Sequence, residues 1–209
     1  MKRKIRILIV DDHAMVRFAL AEAISGEPDL TLIAEAANGQ EALDLYRKHL
    51  PDVVTMDFQL PGPDGAVTTE SLRAEFPDAR IVLLSVFEGE EDIWRAVRAG
   101  ALGYVPKSAE ISEVLHGIRE LAAGRDYFPS AIAARLAARR RRETLSPREL
   151  QVLRAIVDGC SNKEIATLLN LSEASVKLYI SNTLAKLGVA DRTQAAIQAV
   201  RRGIVHLDG

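Results

Sequence analysis

The chain has 209 residues, a formal net charge of −2 and a hydrophobic content of 48%. This apolar content is enough for a packed core and excludes an intrinsically disordered chain. No apolar stretch approaches the roughly 18 residues that would indicate a membrane span, and no signal-peptide pattern opens the chain. The single cysteine, Cys160, excludes an internal disulfide and fits a reducing compartment. We therefore expect a cytoplasmic protein without membrane contact, built as one large domain or two small ones.

The net charge hides a difference between two parts of the chain. Residues 1–128 carry 14 basic and 22 acidic side chains, whereas residues 129–209 carry 13 basic and 7 acidic ones. Such asymmetry suggests that the second part meets a polyanion. An ordinary basic helical domain is the alternative, because small domains often carry a few net charges.

From residue 5 to about 124, short apolar runs alternate with amphipathic helical patterns. Five such units with short connections predict an α/β fold, in which a five-stranded parallel sheet carries helices on both faces. The predicted strands are Ile5–Val10, Leu30–Ala36, Val53–Asp57, Ile81–Ser85 and Gly103–Val105. The predicted helices lie near residues 14–25, 39–49, 65–75, 89–99 and 109–123.

Acidic side chains stand at the ends of two of these strands. Asp11 and Asp12 follow the first strand, and Asp57 ends the third. Ligands of such sheets bind beyond the carboxyl ends of the strands, where these three carboxylates should converge. Clustered carboxylates raise one another's pKa values or recruit a cation. Hard oxygen ligands in a half-open site favour Mg²⁺.

Two further polar residues lie on the same edge of the predicted sheet. Ser85 ends the fourth strand and Lys107 follows the fifth. Taken singly, Ser85 could be a strand-end cap and Lys107 a solvated turn residue. Together with the carboxylates they offer the hydroxyl donor and fixed cation that a phosphorylated aspartate needs.

The middle of the chain predicts a helical linker. Pro129 interrupts the alternating pattern, and the segment 131–142 is rich in alanine and ends in four arginines. We expect this arginine run, residues 139–142, to be solvated.

The last part of the chain predicts four helices. Ser146 and Ser161 each precede a glutamate by three residues, the spacing of a capping box, and Asp191 begins a variant of that box. Ser172 is a plain cap. A compact helix at about 162–169 and a longer one at about 173–187 are joined by a tight turn, which indicates a helix-turn-helix unit. A helical hairpin with no role in nucleic-acid binding is the alternative.

The longer helix divides into two faces by its periodicity. The face predicted to be buried consists of Val176, Ile180, Thr183, Leu184 and Leu187. The outward face, which is small and singly charged and could enter a major groove, consists of Ala174, Lys177, Leu178, Ser181 and Ala185.

Five segments occur in a specific order: Val10–His13, Val53–Gly62, Leu145–Glu149, Ser161–Ala166 and Leu184–Val189. In them the chain resembles bacterial two-component response regulators of the NarL/FixJ type. The resemblance implies a flavodoxin-like, doubly wound receiver domain at 1–125, a linker at 126–143 and an all-α, four-helix LuxR-type helix-turn-helix domain at 144–209.

The resemblance also implies roles at the acidic site. Asp57 would be the phosphoacceptor. Asp12 and Asp57 would bind Mg²⁺ directly together with the backbone carbonyl of Gln59, and Asp11 would act largely through water. Ser85 and Lys107 would contact the phosphoryl group. Tyr104 would be the switch aromatic residue.

For the second domain, the resemblance implies DNA reading by Lys177, Leu178 and Ser181, with phosphate contacts by Lys163 and Arg192. The implied partners are DNA, a sensor histidine kinase and, after phosphorylation, a second copy of the chain. RNA polymerase is a further possible partner, and the compartment is the bacterial cytoplasm.

Three other protein classes fit less well. A flavodoxin-like cofactor binder would bind a phosphate in the loop after the first strand. In this chain Asp11 and Asp12 lie there and would repel the phosphate. An aspartyl-phosphate phosphohydrolase needs a second acid two residues after its nucleophile, where this chain has Gln59, so we expect no enzyme. A phosphorylation-gated interaction module that does not bind DNA is disfavoured by the basic second part.

Overall fold

A computed structural model describes residues 3–206 of the chain. By their contacts these residues form two compact units. The first contains the chain up to Glu88 together with Ile93–Ala134, and the second contains Gly89–Asp92 together with the chain from Arg135 onward. Residues 1–2 and 207–209, at the outer ends of the two predicted domains, lie outside the described residues. Within residues 3–206, no helix has both the length and the apolar composition required to cross a membrane.

The first unit contains the predicted five-stranded parallel sheet. Its strands are β1 (Ile5–Val10), β2 (Leu30–Ala36), β3 (Val53–Asp57), β4 (Ile81–Ser85) and β5 (Gly103–Pro106). Their order across the sheet is β2-β1-β3-β4-β5, so the doubly wound α/β fold class is confirmed. The helices that follow these strands are α1 (Ala14–Ser25), α2 (Gly39–His49), α3 (Gly65–Glu75), α4 (Glu90–Arg98) and α5 (Ile111–Ala122).

The core of the first unit explains why the inner strands are continuous apolar runs. Every residue of β3 and β4 is buried, as expected where helices cover both faces of a parallel sheet. Leu20 and Ile24 of α1 pack with Ile118 and Leu121 of α5 in one apolar cluster with the strands. This packing fixes the carboxyl ends of the strands at a common edge.

One short strand pairing was not predicted. Tyr127 forms a parallel bridge with Gly103: its N–H donates to the carbonyl of Leu102 at 2.9 Å, and its carbonyl accepts from the N–H of Tyr104 at 3.2 Å. The aromatic ring lies against Gly117 of α5, where a Cβ would stand 2.8 Å from Tyr127 Cδ1. Tyr127, predicted to be a linker residue, thus extends the edge of the sheet.

The alanine-rich segment forms α6 (Ser130–Arg140). The expectation that the whole arginine run is solvated is wrong for Arg139, which is only 6% exposed. The reason is periodicity, because Arg139 follows the buried Ile132 and Leu136 at the i+7 and i+3 positions of one helix face. Arg140 and Arg141 are exposed as expected.

The second unit contains the four predicted helices α7 (Pro147–Val157), α8 (Asn162–Leu169), α9 (Glu173–Leu187) and α10 (Arg192–Arg201). Both predicted capping boxes are present, and Ser172 accepts from the N–H of Ser175 as a plain cap. At α10, the side chain of Asp191 caps the helix by accepting from the N–H of Gln194. The side-chain oxygen of Gln194 in turn accepts from the N–H of Ala190. Helix α9 packs against the other three helices, and this packing fixes which of its faces is outward.

Candidate functional site

Two buried carboxylates face one ammonium group at the carboxyl edge of the sheet. Asp11 is 1% exposed and Asp57 is 2% exposed. Lys107 Nζ lies 2.8 Å from Oδ2 of Asp11 and 2.7 Å from Oδ2 of Asp57. Three of the predicted site residues are therefore in direct contact.

Backbone contacts hold these side chains in place. The N–H of Asp11 donates to the carbonyl of Ala36 at 3.1 Å, and the N–H of Gly65 donates to the carbonyl of Phe58 at 2.9 Å. A Cβ at position 65 would stand 1.9 Å from the carbonyl oxygen of Asp57. Helix α3 can begin this close to the end of β3 only because residue 65 is glycine.

The electrostatics of the site are unbalanced. Burial raises the pKa of Asp57 and the nearby charge of Asp11 adds to this, outweighing the hydrogen bond from Lys107. Burial acts to lower the pKa of Lys107, but hydrogen bonds to Asp11 and Asp57 outweigh it and raise that pKa. One cation between two buried carboxylates leaves a net negative charge, to which the exposed Asp12 adds.

The donor set fits a hard divalent cation. One ligand atom from each of Asp11, Asp12, His13 and Asp57 lies within 4.8 Å of the others. Oδ2 of Asp11 is buried, and Lys107 Nζ lies 2.8 Å from it. Three carboxylates beside a single ammonium group leave an excess of negative charge, which Mg²⁺ would neutralise.

Ser85 and Tyr104 meet at Phe87. Ser85 is 1% exposed, and its hydroxyl accepts from the N–H of Phe87 at 2.9 Å. The ring of Tyr104 is fully buried, and its hydroxyl donates to the carbonyl of Phe87 at 2.7 Å. The N–H of Lys107 donates to the carbonyl of Ser85 at 2.8 Å. The predicted serine, lysine and aromatic residues are thus joined through one short loop.

Gln59 stands at the start of the loop after β3. Its side chain is exposed, and its N–H donates to Oδ1 of Asp57 at 3.2 Å. The backbone of Gln59 is therefore hydrogen-bonded to Asp57, the carboxylate predicted from the sequence to be a metal ligand.

The predicted DNA-reading surface is exposed on α9. Lys177, Leu178 and Ser181 are all exposed, Leu178 at 60%. The predicted inward residues of the same helix are buried or half-buried, among them Val176 and Thr183. The face of α9 that was predicted to be outward is therefore the exposed one.

The two predicted phosphate contacts differ in their surroundings. Lys163 is exposed at the start of α8. Arg192 is half-buried, and its Nη2 donates to the carbonyl of Cys160 at 2.6 Å. Part of its guanidinium thus ties α10 to the turn before α8, which the sequence did not indicate.

Comparison with known proteins decides the family. Residues 7–119 match the family described as response regulator receiver domain, and residues 143–199 match the luxR family of bacterial regulatory proteins. The chain belongs to the response regulators. It is 37% identical to the transcriptional regulatory protein LiaR of Bacillus subtilis, over 97% of this chain and 100% of that protein.

Two further relatives support the same family. The nitrate/nitrite response regulator protein NarL of Escherichia coli K12 is 36% identical over 91% of this chain and 93% of its own length. The crystal structure of the response regulator ChrA from a heme-sensing two-component system covers 98% of this chain and 100% of its own, with 33% identity and a TM-score of 0.57. The present response regulator is thus a transcriptional regulator with a receiver and a LuxR-type helix-turn-helix domain, not an enzyme.

An aromatic cluster behind Asp57 of this response regulator was not predicted from its sequence. The ring of Phe58 lies edge-on to Phe87 and Tyr104, with centroid distances of 6.4 and 6.3 Å. The Arg95 guanidinium lies over the Phe58 ring, 5.6 Å from its centroid. A large aromatic residue directly after Asp57 was the available signal.

Proposed function

We propose that the receiver domain, residues 1–125, accepts a phosphoryl group on Asp57 from a sensor histidine kinase. The linker, residues 126–143, would pass the change to the DNA-binding domain, residues 144–209. The observation that carries this proposal is the contact of one half-buried ammonium group, on Lys107, with the two buried carboxylates Asp11 and Asp57.

The chemistry is a direct phosphoryl transfer. A carboxylate oxygen of Asp57 forms a bond to phosphorus while the P–N bond to the phosphohistidine of the kinase breaks. The electron pair of that bond leaves with the imidazole, and the product is an acyl phosphate. Lys107 Nζ and the Ser85 hydroxyl stabilise the negative charge on the phosphoryl oxygens.

The acidic residues would hold Mg²⁺. Asp12, Asp57 and the carbonyl of Gln59 would bind it directly, and Asp11 through water. When bound, the cation neutralises the clustered carboxylates and the charge on the transferred group. The donor set and the excess of negative charge at the site support this assignment.

The signal would leave the site through the loop around Phe87. Tyr104 acts as the switch residue because its hydroxyl and that of Ser85 both bond the Phe87 backbone. Shifting a two-state balance from 1:99 to 99:1 requires about 5.5 kcal/mol of differential stabilisation. Several charge-assisted hydrogen bonds to a new phosphoryl group can supply much of this.

The output would be DNA binding by a homodimer in the bacterial cytoplasm. Lys177, Leu178 and Ser181 would read base edges, and Lys163 and Arg192 would contact phosphates. Two copies would meet half-sites about one helical turn apart. Regulation of transcription then makes RNA polymerase a further candidate partner.

Labelling and DNA binding test the proposal together. The wild-type chain incubated with labelled acetyl phosphate and Mg²⁺ should take up phosphate and then bind its DNA more tightly. Asp57→Asn should abolish both effects, whereas Asp78→Asn, which changes an exposed acid of the same domain, should abolish neither. Persistent labelling of Asp57→Asn would show that another residue is the acceptor.

A further inference from the structure

The residue after the proposed phosphoacceptor is fixed by three contacts. The N–H of Phe58 donates to the carbonyl of Leu84 at 2.8 Å, and its own carbonyl accepts from Gly65 at 2.9 Å. Its ring is buried. Phe58 therefore anchors the beginning of the loop 58–64, which connects β3 to α3.

One side chain of α4 contacts both ends of this loop. The Arg95 guanidinium lies 5.6 Å from the centroid of the Phe58 ring, a cation–π geometry. Its Nη2 forms an ion pair with Oδ2 of Asp64. Oδ1 of Asp64 accepts from the N–H of Val67 at 3.0 Å and so caps α3. Arg95 therefore closes the loop between its first residue and its last.

The closed loop carries a residue that the proposed function requires. Gln59 donates its N–H to Asp57 and would offer its carbonyl to the metal. Farther along, Gly62 has a φ of 81°, a conformation that L-amino acids rarely adopt and that glycine adopts freely. Since Mg²⁺ demands nearly ideal geometry, the orientation of one carbonyl in this loop affects affinity directly.

We propose that Arg95 is a positioning residue for the metal and phosphoryl site. It would act through Phe58 and Asp64, holding the loop so that the Gln59 carbonyl faces the cation. This inference rests on the proposed function. It also makes α4 part of the support of the site, since the loop position depends on a side chain from that helix.

Magnesium affinity is the direct measurement. Calorimetric titration of the full chain with MgCl₂ should give an affinity about tenfold weaker for Arg95→Ala, the size of effect seen when outer partners of metal ligands are removed. Arg98→Ala is the matched control, because it removes an exposed arginine one turn farther along α4; its affinity should equal that of the wild type. Arg95→Lys should be intermediate, because it keeps the charge for Asp64 but loses the planar group over Phe58.

Phosphorylation by acetyl phosphate should show the same pattern. The phosphorylation rate of Arg95→Ala should be lower than that of the wild type at low Mg²⁺. It should approach the wild-type rate at saturating Mg²⁺, because the substitution weakens only the binding of the metal. Asp64→Asn gives a second test if Arg95→Ala folds poorly, because asparagine remains a good helix cap while the ion pair is lost. It should also weaken Mg²⁺ binding.

Three results would overturn the inference in distinguishable ways. A folded Arg95→Ala that binds Mg²⁺ as tightly as the wild type would make Arg95 a structural brace only, and the proposed function would stand. A defect at saturating Mg²⁺ equal to that at low Mg²⁺ would place Arg95 outside metal positioning. A wild-type chain that neither binds Mg²⁺ nor becomes labelled would remove both this inference and the proposed function.

Discussion

Lys107 Nζ lies 2.7 Å from Oδ2 of Asp57, and even this contact leaves the pKa of Asp57 above its ordinary value. The cause is burial, to which the charge of Asp11 adds. The ionised form of Asp57 is thus disfavoured by folding. The receiver thus keeps at Asp57 a charge that its fold does not stabilise.

Asp57→Asn should therefore raise the thermal stability of the receiver at pH 7 in the presence of a chelator. The amide removes a buried charge of raised pKa and leaves Lys107 paired with Asp11. Each kcal/mol gained should raise Tm by roughly 4 °C. Fluorescence of Trp94, the single tryptophan of the chain, follows this unfolding. Asp78→Asn should leave Tm unchanged, and a lower Tm for Asp57→Asn would contradict the argument.

Local sequence patterns account for most of the first unit and for the site residues. The apolar runs predict all five strands because most strand residues are buried or half-buried. Asp57, Ser85 and Lys107 lie at or next to strand ends. Since parallel strands place their carboxyl ends at one edge, their convergence follows from topology. Cap residues such as Ser146 and Ser161 similarly determine helix starts from neighbours only three residues away.

The contacts that the sequence did not reveal join residues far apart in the chain. Tyr127 pairs with Gly103, and Arg95 meets both Phe58 and Asp64. No hydrophobic periodicity or motif spacing in the sequence marks either contact, because each depends on which surfaces the folded sheet and helices bring together. An exposed-looking arginine or a linker tyrosine carries no local mark of such a partner.

Gly117→Ala should destabilise the receiver although alanine is the better helix former. Propensity alone would favour the change by about 1 kcal/mol. The new Cβ would stand 2.8 Å from Cδ1 of Tyr127, and overpacking of this kind costs roughly 1–3 kcal/mol. Urea unfolding followed by Trp94 fluorescence measures the balance.

Gly26→Ala is the matched control for that substitution. At Gly26, which follows α1, an added Cβ meets its nearest atom at 3.5 Å, an ordinary contact. It should be neutral or slightly stabilising. Equal effects of the two substitutions would show that the ring of Tyr127 does not press on Gly117, and a Tyr127→Leu change that rescues Gly117→Ala would support the clash.

Glu149→Gln should weaken the second unit and reduce its sensitivity to acid. Burial acts to raise the pKa of Glu149, but the hydrogen bond from Lys186 Nζ, at 2.7 Å, and those at Ser146 outweigh it and lower that pKa. A lowered pKa in the folded state means stability that is present above the unfolded value, about 4.3. This stability is lost as pH falls through the folded pKa.

The expected loss for Glu149→Gln at pH 7 is about 1–3 kcal/mol, because Lys186 then keeps only a neutral partner. Amide hydrogen exchange in α7 and α9, followed from neutral pH to well below the unfolded value of about 4.3 and corrected for the pH dependence of intrinsic exchange, measures the loss by site. The wild type should lose protection on acidification, and the variant should lose less. Glu173→Gln, which changes an exposed acid of α9, should keep the pH dependence of the wild type.

Lys177→Ala should weaken DNA binding and flatten its dependence on salt by up to one unit of log–log slope if the ammonium meets a phosphate. Lys177 is exposed on α9, so its removal should leave folding intact. Fluorescence anisotropy of labelled operator DNA at several salt concentrations gives the slope. Lys48→Ala removes the same charge from the exposed surface of α2 and should leave the slope unchanged.

Arg192→Ala should behave differently from Lys177→Ala because its guanidinium has an internal partner. Its hydrogen bond to the carbonyl of Cys160 holds the turn before α8, and losing it should cost about 1 kcal/mol of stability in addition to any phosphate contact. Thermal unfolding measured beside anisotropy separates the two effects. If Arg192→Ala lowers stability but keeps the wild-type salt slope, Arg192 supports the helix-turn-helix without touching DNA, and the phosphate contacts reduce to Lys163.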